Sequence, residues 1–345
     1  MMTDDERQTL ETTAREMVAE GKGLLAADES NATMTKRLEG VGAESTPETR
    51  RGFRELLFTT PGAEEHISGA IMYDETIRQS GSDGTPFPQL LADRGVIPGI
   101  KVDTGAKPLA GAEGEKVTEG LDGLRERLEE YRELGGRFAK WRGVITIGDG
   151  LPSDYCVSVN AHALARYGAL CQEAGIVPII EPEVLMDGEH SIDRSEEVTG
   201  YTLRAVFNAL LDQRVLLEGM VLKPNMVMSA YDAPKQASVE EVAERTLGLL
   251  RRVVPAAVPG VTFLSGGQSD ERASAHLSAM NSIGGVPWQL SFSYGRALQA
   301  APLEAWSGED ANEADAREAY AHRARCNGEA RRGRYTEELE NTVAA

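Results

Sequence analysis

Charged residues sit inside the short apolar runs of this 345-residue chain, and that limits what it can fold into. Lys223 lies in Met220-Val221-Leu222-Lys223-Pro224-Asn225-Met226-Val227. Glu181 and Glu183 interrupt the run from Ile176 to Leu185, and Lys140 and Arg142 interrupt the run from Phe138 to Ile145. Short apolar runs bounded by Gly and Pro read as buried strands. A buried lysine or carboxylate is costly unless paired, so such groups concentrate where pKa values are shifted for chemistry. Three strands that each deliver acid or base to one place point to an enzyme.

Five further runs read the same way: Gly21 to Glu29, Ile67 to Asp74, Ile97 to Asp103, Val261 to Gly267 and Trp288 to Gly295. Helical patterns lie between them, such as Ala163-Leu164-Tyr167-Leu170 and Val242-Ala243-Leu247-Leu250. Eight strands alternating with helices predict an α/β chain folded as a (β/α)8 TIM barrel. Polar residues fall late in the runs: Asp28, Asp74, Lys101, Asp103, Glu183, Lys223, Asn225, Ser265 and Ser293. Active sites of such barrels sit at the C-terminal ends of the strands. An open doubly wound sheet is the alternative, but strand count and polar ends favour the barrel.

The barrel is expected over about residues 20–300, within a single domain of residues 1–345. Residues 2 to 20 read as an extra amphipathic helix with Leu10, Ala14, Met17 and Val18 on one face. Residues 304 to 331 are helix-compatible, and the polar tail after Gly333 is expected to be flexible. The formal charge of −19 argues against a nucleic-acid partner. No apolar stretch approaches a membrane span and no signal-type segment opens the chain, so a cytoplasmic protein without a membrane partner is expected. Cys156, Cys171 and Cys326 are odd in number and widely spaced, which fits small core hydrophobes in a reducing compartment.

The chemistry begins with Lys223. An ordinary lysine is protonated at neutral pH and is not a nucleophile. Burial and a neighbouring cation, here Lys140 or Arg142, free the amine to attack a carbonyl carbon. The alternative is a lysine that merely balances a carboxylate. Glu181 and Glu183 are two apart and so share one face of a strand. Two crowded carboxylates push one pKa up, which suits proton shuttling; they also serve charge balance. Asp28 is a third carboxylate, whereas Asp103 is expected to pair locally with Lys101.

The last two runs end differently. Ser265-Gly266-Gly267 precedes a helix start with Ser269 as N-cap, and Ser293-Tyr294-Gly295-Arg296 ends the eighth run. In barrels these loops commonly bind phosphate through backbone N–H groups, and arginine adds a bidentate fork. A second anion site is read near the first strand, where Ser30, Thr33, Lys36 and Arg37 follow Asp28; an ordinary solvated helix start is its alternative.

Together these segments resemble class I fructose-1,6-bisphosphate aldolase. The matching stretches are Leu24 to Ser30, Gly99 to Asp103, Ala139 to Arg142, Glu181-Pro182-Glu183, Leu222 to Val227, Phe263 to Ser269 and Phe292 to Gln299, in the family's order. The resemblance implies reversible cleavage of fructose 1,6-bisphosphate to dihydroxyacetone phosphate and glyceraldehyde 3-phosphate, in glycolysis and gluconeogenesis. It implies no metal and no cofactor, a small sugar-phosphate substrate, and a homo-oligomer, with a tetramer suspected from the family.

By the same resemblance Lys223 matches the Schiff-base lysine, Glu181 the acid/base, and Asp28 the carboxylate that helps break the carbon–carbon bond. Lys140 and Glu183 match supporting charges, and Arg142 a nearby arginine. Ser265, Gly266, Gly267, Ser293, Gly295 and Arg296 match one phosphate site. Ser30, Lys101, Lys36, Arg37 and Arg50 match residues at the other, with Thr33 where animal members have serine. Animal members end in a tyrosine that assists proton exchange, whereas this chain ends Asn341-Thr342-Val343-Ala344-Ala345, and Tyr335 is its last tyrosine. Three rivals remain: a metal-dependent aldolase, another Schiff-base barrel, and an inactive sugar-phosphate-binding or scaffold barrel. The five histidines show no ligand spacing, which disfavours the first. Two phosphate sites disfavour the second. The presence of Lys223, Glu181 and Asp28 disfavours the third.

Overall fold

The computed structural model describes residues 2–341. Eight parallel strands close into a barrel in the order β1-β10-β9-β8-β7-β6-β3-β2. They are β1 (Gly23–Ala27), β2 (Ile67–Met72), β3 (Ile97–Lys101), β6 (Phe138–Ile145), β7 (Val177–Val184), β8 (Val221–Leu222), β9 (Gly260–Phe263) and β10 (Gln289–Tyr294). The predicted (β/α)8 barrel is therefore what forms. Antiparallel β4 (Gly105–Pro108) and β5 (Lys116–Glu119) make a hairpin after β3 that the sequence did not announce, because its segments are short and polar.

The two-residue alternation of strands decides what fills the lumen. Leu24 and Ala26 of β1, Phe138 of β6, Val177 and Ile179 of β7 and Val221 of β8 form one apolar cluster. The next positions in the same alternation are Asp28, Lys140, Glu181 and Lys223. One face of each strand thus runs from hydrocarbon below to charge above. Gly99 makes room for the largest plug, since a Cβ there would lie 2.2 Å from the Phe138 ring. The helix Asp4–Met17 packs Leu10, Ala14 and Met17 into the same cluster and covers the lower end. Its start is fixed by a capping box in which Thr3 and Glu6 exchange hydrogen bonds.

Serines start several of the helices that surround the barrel. Ser30, Ser153, Ser191, Ser238 and Ser269 each cap a helix by accepting from the backbone N–H three residues on. The Lys223 strand is shorter than predicted because Pro224 has no N–H to give the ladder. Beyond it the β7 edge is satisfied by a side chain: the Asn225 Oδ1 accepts the Val184 N–H at 3.0 Å.

The C-terminal region differs in two ways from the sequence expectation. The helix Arg296–Trp306 ends at Ser307 and Gly308, both in the left-handed region, and a separate helix spans Glu313–Arg331. The tail beyond Gly333 is docked as far as Asn341. Tyr335 packs into the core, and Glu340 accepts both Arg323 Nη1 bonds, at 2.5 and 2.6 Å. A 17-residue ion pair leaves no pattern in local sequence. Residues 342–345 lie outside the described residues.

Candidate active site

The barrel mouth holds a cavity of about 600 Å³. Four buried charges form its floor as an alternating chain. Lys223 stands 3.0 Å from one oxygen of Glu181, and Lys140 lies 3.2 Å from the other oxygen and 2.7 Å from Asp28. None of the four is more than 8% exposed, so their charges meet each other and not bulk water. The Lys223 backbone is fixed by its N–H bond to the Ile180 carbonyl, 2.8 Å long, beside the residue that carries the carboxylate.

Burial alone would raise the Asp28 carboxyl, but Lys140, Lys223 and Lys101 override it and hold it well below the usual carboxylate range. Glu181 follows the same logic, lowered by Lys140, Lys223 and Arg142 against its burial. Burial would lower Lys140, yet Asp28 and Glu181 keep its ammonium raised and charged. The expected crowding of Glu181 against Glu183 does not occur, because each carboxylate has its own cation. Glu183 pairs with Arg142, whose side chain is 43% exposed. Burial opposes the Arg142 charge, but Glu183 raises its pKa further. Asp103 sits 3.8 Å from Lys101 and accepts the Gly105 N–H, the local role expected of it.

The rest of the mouth is lined mainly by serines, glycines and further charged residues. Ser265, Gly266 and Gly267 follow β9, with φ of 61° and 100° at the two glycines. Ser293, Gly295 and Arg296 line the same wall. The buried Ser293 Oγ has no partner among the described residues. Ser30, Thr33 and Arg37, which follow β1, and Lys101 at the end of β3 also line the mouth. Two predicted residues do not join them. Lys36 is absent from the mouth and lines a neighbouring cleft, whereas Arg37, which also borders that cleft, reaches the mouth. Arg50 is bound to Glu75 at 2.6 and 2.8 Å and does not line the cavity. Tyr335 is also absent from the lining; its N–H donates to Ser278 and its hydroxyl to Glu340.

The sequence reading missed Tyr231, Asp187 and Leu185, which line the mouth from connections after β7 and β8. Such loop residues follow no period. Tyr231 donates its hydroxyl to the Gly266 carbonyl. Burial pushes its phenol up to about 12, so it keeps its proton at neutral pH. Among the described residues, the three-ligand cluster close enough to grip a metal, His322, Cys326 and Glu340, lies at the tail and not at the mouth.

A buried primary amine beside a carboxylate at the top of a (β/α)8 barrel is an arrangement suited to amine-based chemistry on carbonyl compounds. The sequence profile of glycolytic fructose-bisphosphate aldolase class I matches residues 9–345. The chain is 58% identical over 329 residues to a probable fructose-bisphosphate aldolase class 1 of Xanthomonas campestris pv. campestris, covering 95% of this chain and 98% of that one. It is 51% identical over 336 residues to a fructose-bisphosphate aldolase of Dictyostelium discoideum, covering 96% and 94%. A solved fructose-bisphosphate aldolase from Plasmodium falciparum, in complex with TRAP and a small-molecule inhibitor, superposes with a TM-score of 0.96 at 47% identity over 97% of each chain. The chain belongs to the class I fructose-bisphosphate aldolase family. It is an enzyme of the aldolase class.

Proposed function

We propose that the mouth cleaves fructose 1,6-bisphosphate through a Schiff base on Lys223. The observation that carries this is the 3.0 Å approach of Lys223 to Glu181 on a buried floor. Glu181 takes a proton from the Lys223 ammonium beside it, the freed amine adds to the ketose carbonyl, and Glu181 returns that proton to the carbinolamine hydroxyl, which leaves as water. Asp28, held ionised, takes the proton of the C4 hydroxyl. The C3–C4 bond breaks, its electron pair enters the iminium to give an enamine, and glyceraldehyde 3-phosphate departs. Protonation of the enamine and hydrolysis return dihydroxyacetone phosphate and free Lys223. Lys140 bridges Asp28 and Glu181, and Arg142 pairs with Glu183.

Ser265, Gly266, Gly267, Ser293, Gly295 and Arg296 bind one phosphate in this reading, and Ser30, Thr33, Arg37 and Lys101 bind the other. Lys36 acts only through the adjoining cleft, and Arg50 positions Glu75. Residues 1–345 act as one domain in a cytoplasmic, glycolytic setting, and copies assemble into a homo-oligomer, as the family suggests. Among the described residues, no helix is long and apolar enough to cross a membrane.

Borohydride reduction tests the proposal. With fructose 1,6-bisphosphate present, it should inactivate the enzyme and leave the reduced triose phosphate on the Lys223 peptide by mass spectrometry. Modification at another lysine, or none, would overturn it.

A further inference from the structure

We propose that Tyr231 is a positioning residue for the Ser265-Gly266-Gly267 loop, holding the Gly266–Gly267 peptide in the orientation that receives phosphate. The inference rests on the reading of that loop as a phosphate site. The Tyr231 hydroxyl donates to the Gly266 carbonyl. In a trans peptide the carbonyl and the following N–H point in opposite directions, so this bond also fixes the Gly267 N–H. Neither the Gly266 nor the Gly267 N–H donates to another group among the described residues. Both glycines occupy the left-handed region, where the chain is least restricted and a peptide can turn over without a tether.

The tether is itself well anchored. The Tyr231 N–H donates to the Met186 carbonyl at 3.0 Å. Its neighbours Ala230 and Asp232 donate to the His190 and Gly188 carbonyls at 2.9 and 3.0 Å. The phenol therefore reaches the loop from a backbone fixed by three hydrogen bonds. Its position is close: a Cβ on Gly267 would lie 3.0 Å from the phenol oxygen and 3.5 Å from an Arg296 nitrogen. Phenol, glycine and guanidinium converge on one spot of the wall. Tyr231 is 42% exposed, so removing its hydroxyl leaves the core intact.

The experiment compares wild type, Tyr231→Phe and Arg296→Ala, measuring KM and kcat for fructose 1,6-bisphosphate and the inhibition constant of inorganic phosphate. For Tyr231→Phe, KM and the phosphate constant should rise together by about tenfold, the weight of one well-placed hydrogen bond. Its kcat should change by less than about threefold, because uniform binding is what is lost. A thermal midpoint that falls while both constants stay at wild-type values would reduce Tyr231 to a structural residue and overturn the proposal. A drop in kcat alone would also overturn it, by placing the hydroxyl at the reacting atoms. Arg296→Ala separates the two readings. If it weakens phosphate inhibition and Tyr231→Phe does not, only the Tyr231 assignment fails. If neither does, the phosphate site itself is misplaced.

Discussion

Lys140 and Lys223 grip opposite oxygens of the Glu181 carboxylate, at 3.2 and 3.0 Å. One side chain therefore couples the amine proposed as nucleophile to the cation that holds Asp28. Changing any member of this set should alter the others, and the sizes of the effects can be anticipated.

Lys223→Ala should abolish cleavage while leaving a folded barrel, because no other amine among the described residues pairs with the same Glu181 oxygen. Wild-type activity should persist in EDTA. A coupled assay for the triose products reads both. Substantial turnover by the variant, or loss of wild-type turnover on chelation, would remove the Schiff-base assignment.

Glu181→Gln keeps the shape but cannot transfer protons. General acid/base groups contribute roughly 10²–10⁴-fold, so kcat should fall by that order while substrate still binds. Steady-state kinetics with a binding measurement would test this. A loss well under tenfold, about what one hydrogen bond supplies, would take Glu181 out of the role.

Lys140→Met should reveal the charge chain through pH. Asp28 and Glu181 are lowered in the folded protein, so the stability they add is complete above ordinary carboxylate pKa values and is lost as pH falls through about 4 and below. Without Lys140 their burial is less opposed and both carboxyls move upward. The variant then takes up protons in mild acid, so its deficit should be largest at neutral pH and shrink toward pH 5. Breaking a buried pair costs about 3–5 kcal/mol, which sets the neutral-pH scale. Urea denaturation across that range measures it, and a deficit independent of pH would contradict the coupling.

Deleting residues 334–345 removes Glu340 and leaves Arg323, only 3% exposed, without its bidentate partner. Stability should fall by about 1–3 kcal/mol, the cost of stranding a buried polar group. Cleavage should be lowered modestly and not abolished, because the mouth residues stay in place. Calorimetry and the cleavage assay together check this. Complete inactivation of a folded truncation would show an essential group in the tail.

The barrel and its floor were legible because one rule produces both. Alternation along Phe138, Lys140 and Arg142, or Ile179, Glu181 and Glu183, places hydrocarbon and charge on the same lumenal face at different heights. Ser265-Gly266-Gly267 was legible because its chemistry is local. Tyr231 was not, since its contact with Gly266 spans 35 residues and follows no period. Lys36 and Arg50 were misplaced for a related reason. A basic residue near a site can be read from sequence, but its helix face and its carboxylate partner Glu75 cannot. The docked tail was missed because polarity predicts solvation unless a distant buried arginine is known.

The cavity lining carries one more cation than acid: Arg37, Lys101, Lys140, Arg142, Lys223 and Arg296 against Asp28, Glu29, Glu181, Glu183 and Asp187. The whole chain carries a formal −19. A doubly phosphorylated sugar diffusing from a distance is therefore repelled by the molecule at large. Ionic screening at physiological salt confines that repulsion to about 8 Å. Capture then belongs to the last few ångströms, where the wall and not the far field decides whether an encounter becomes a complex.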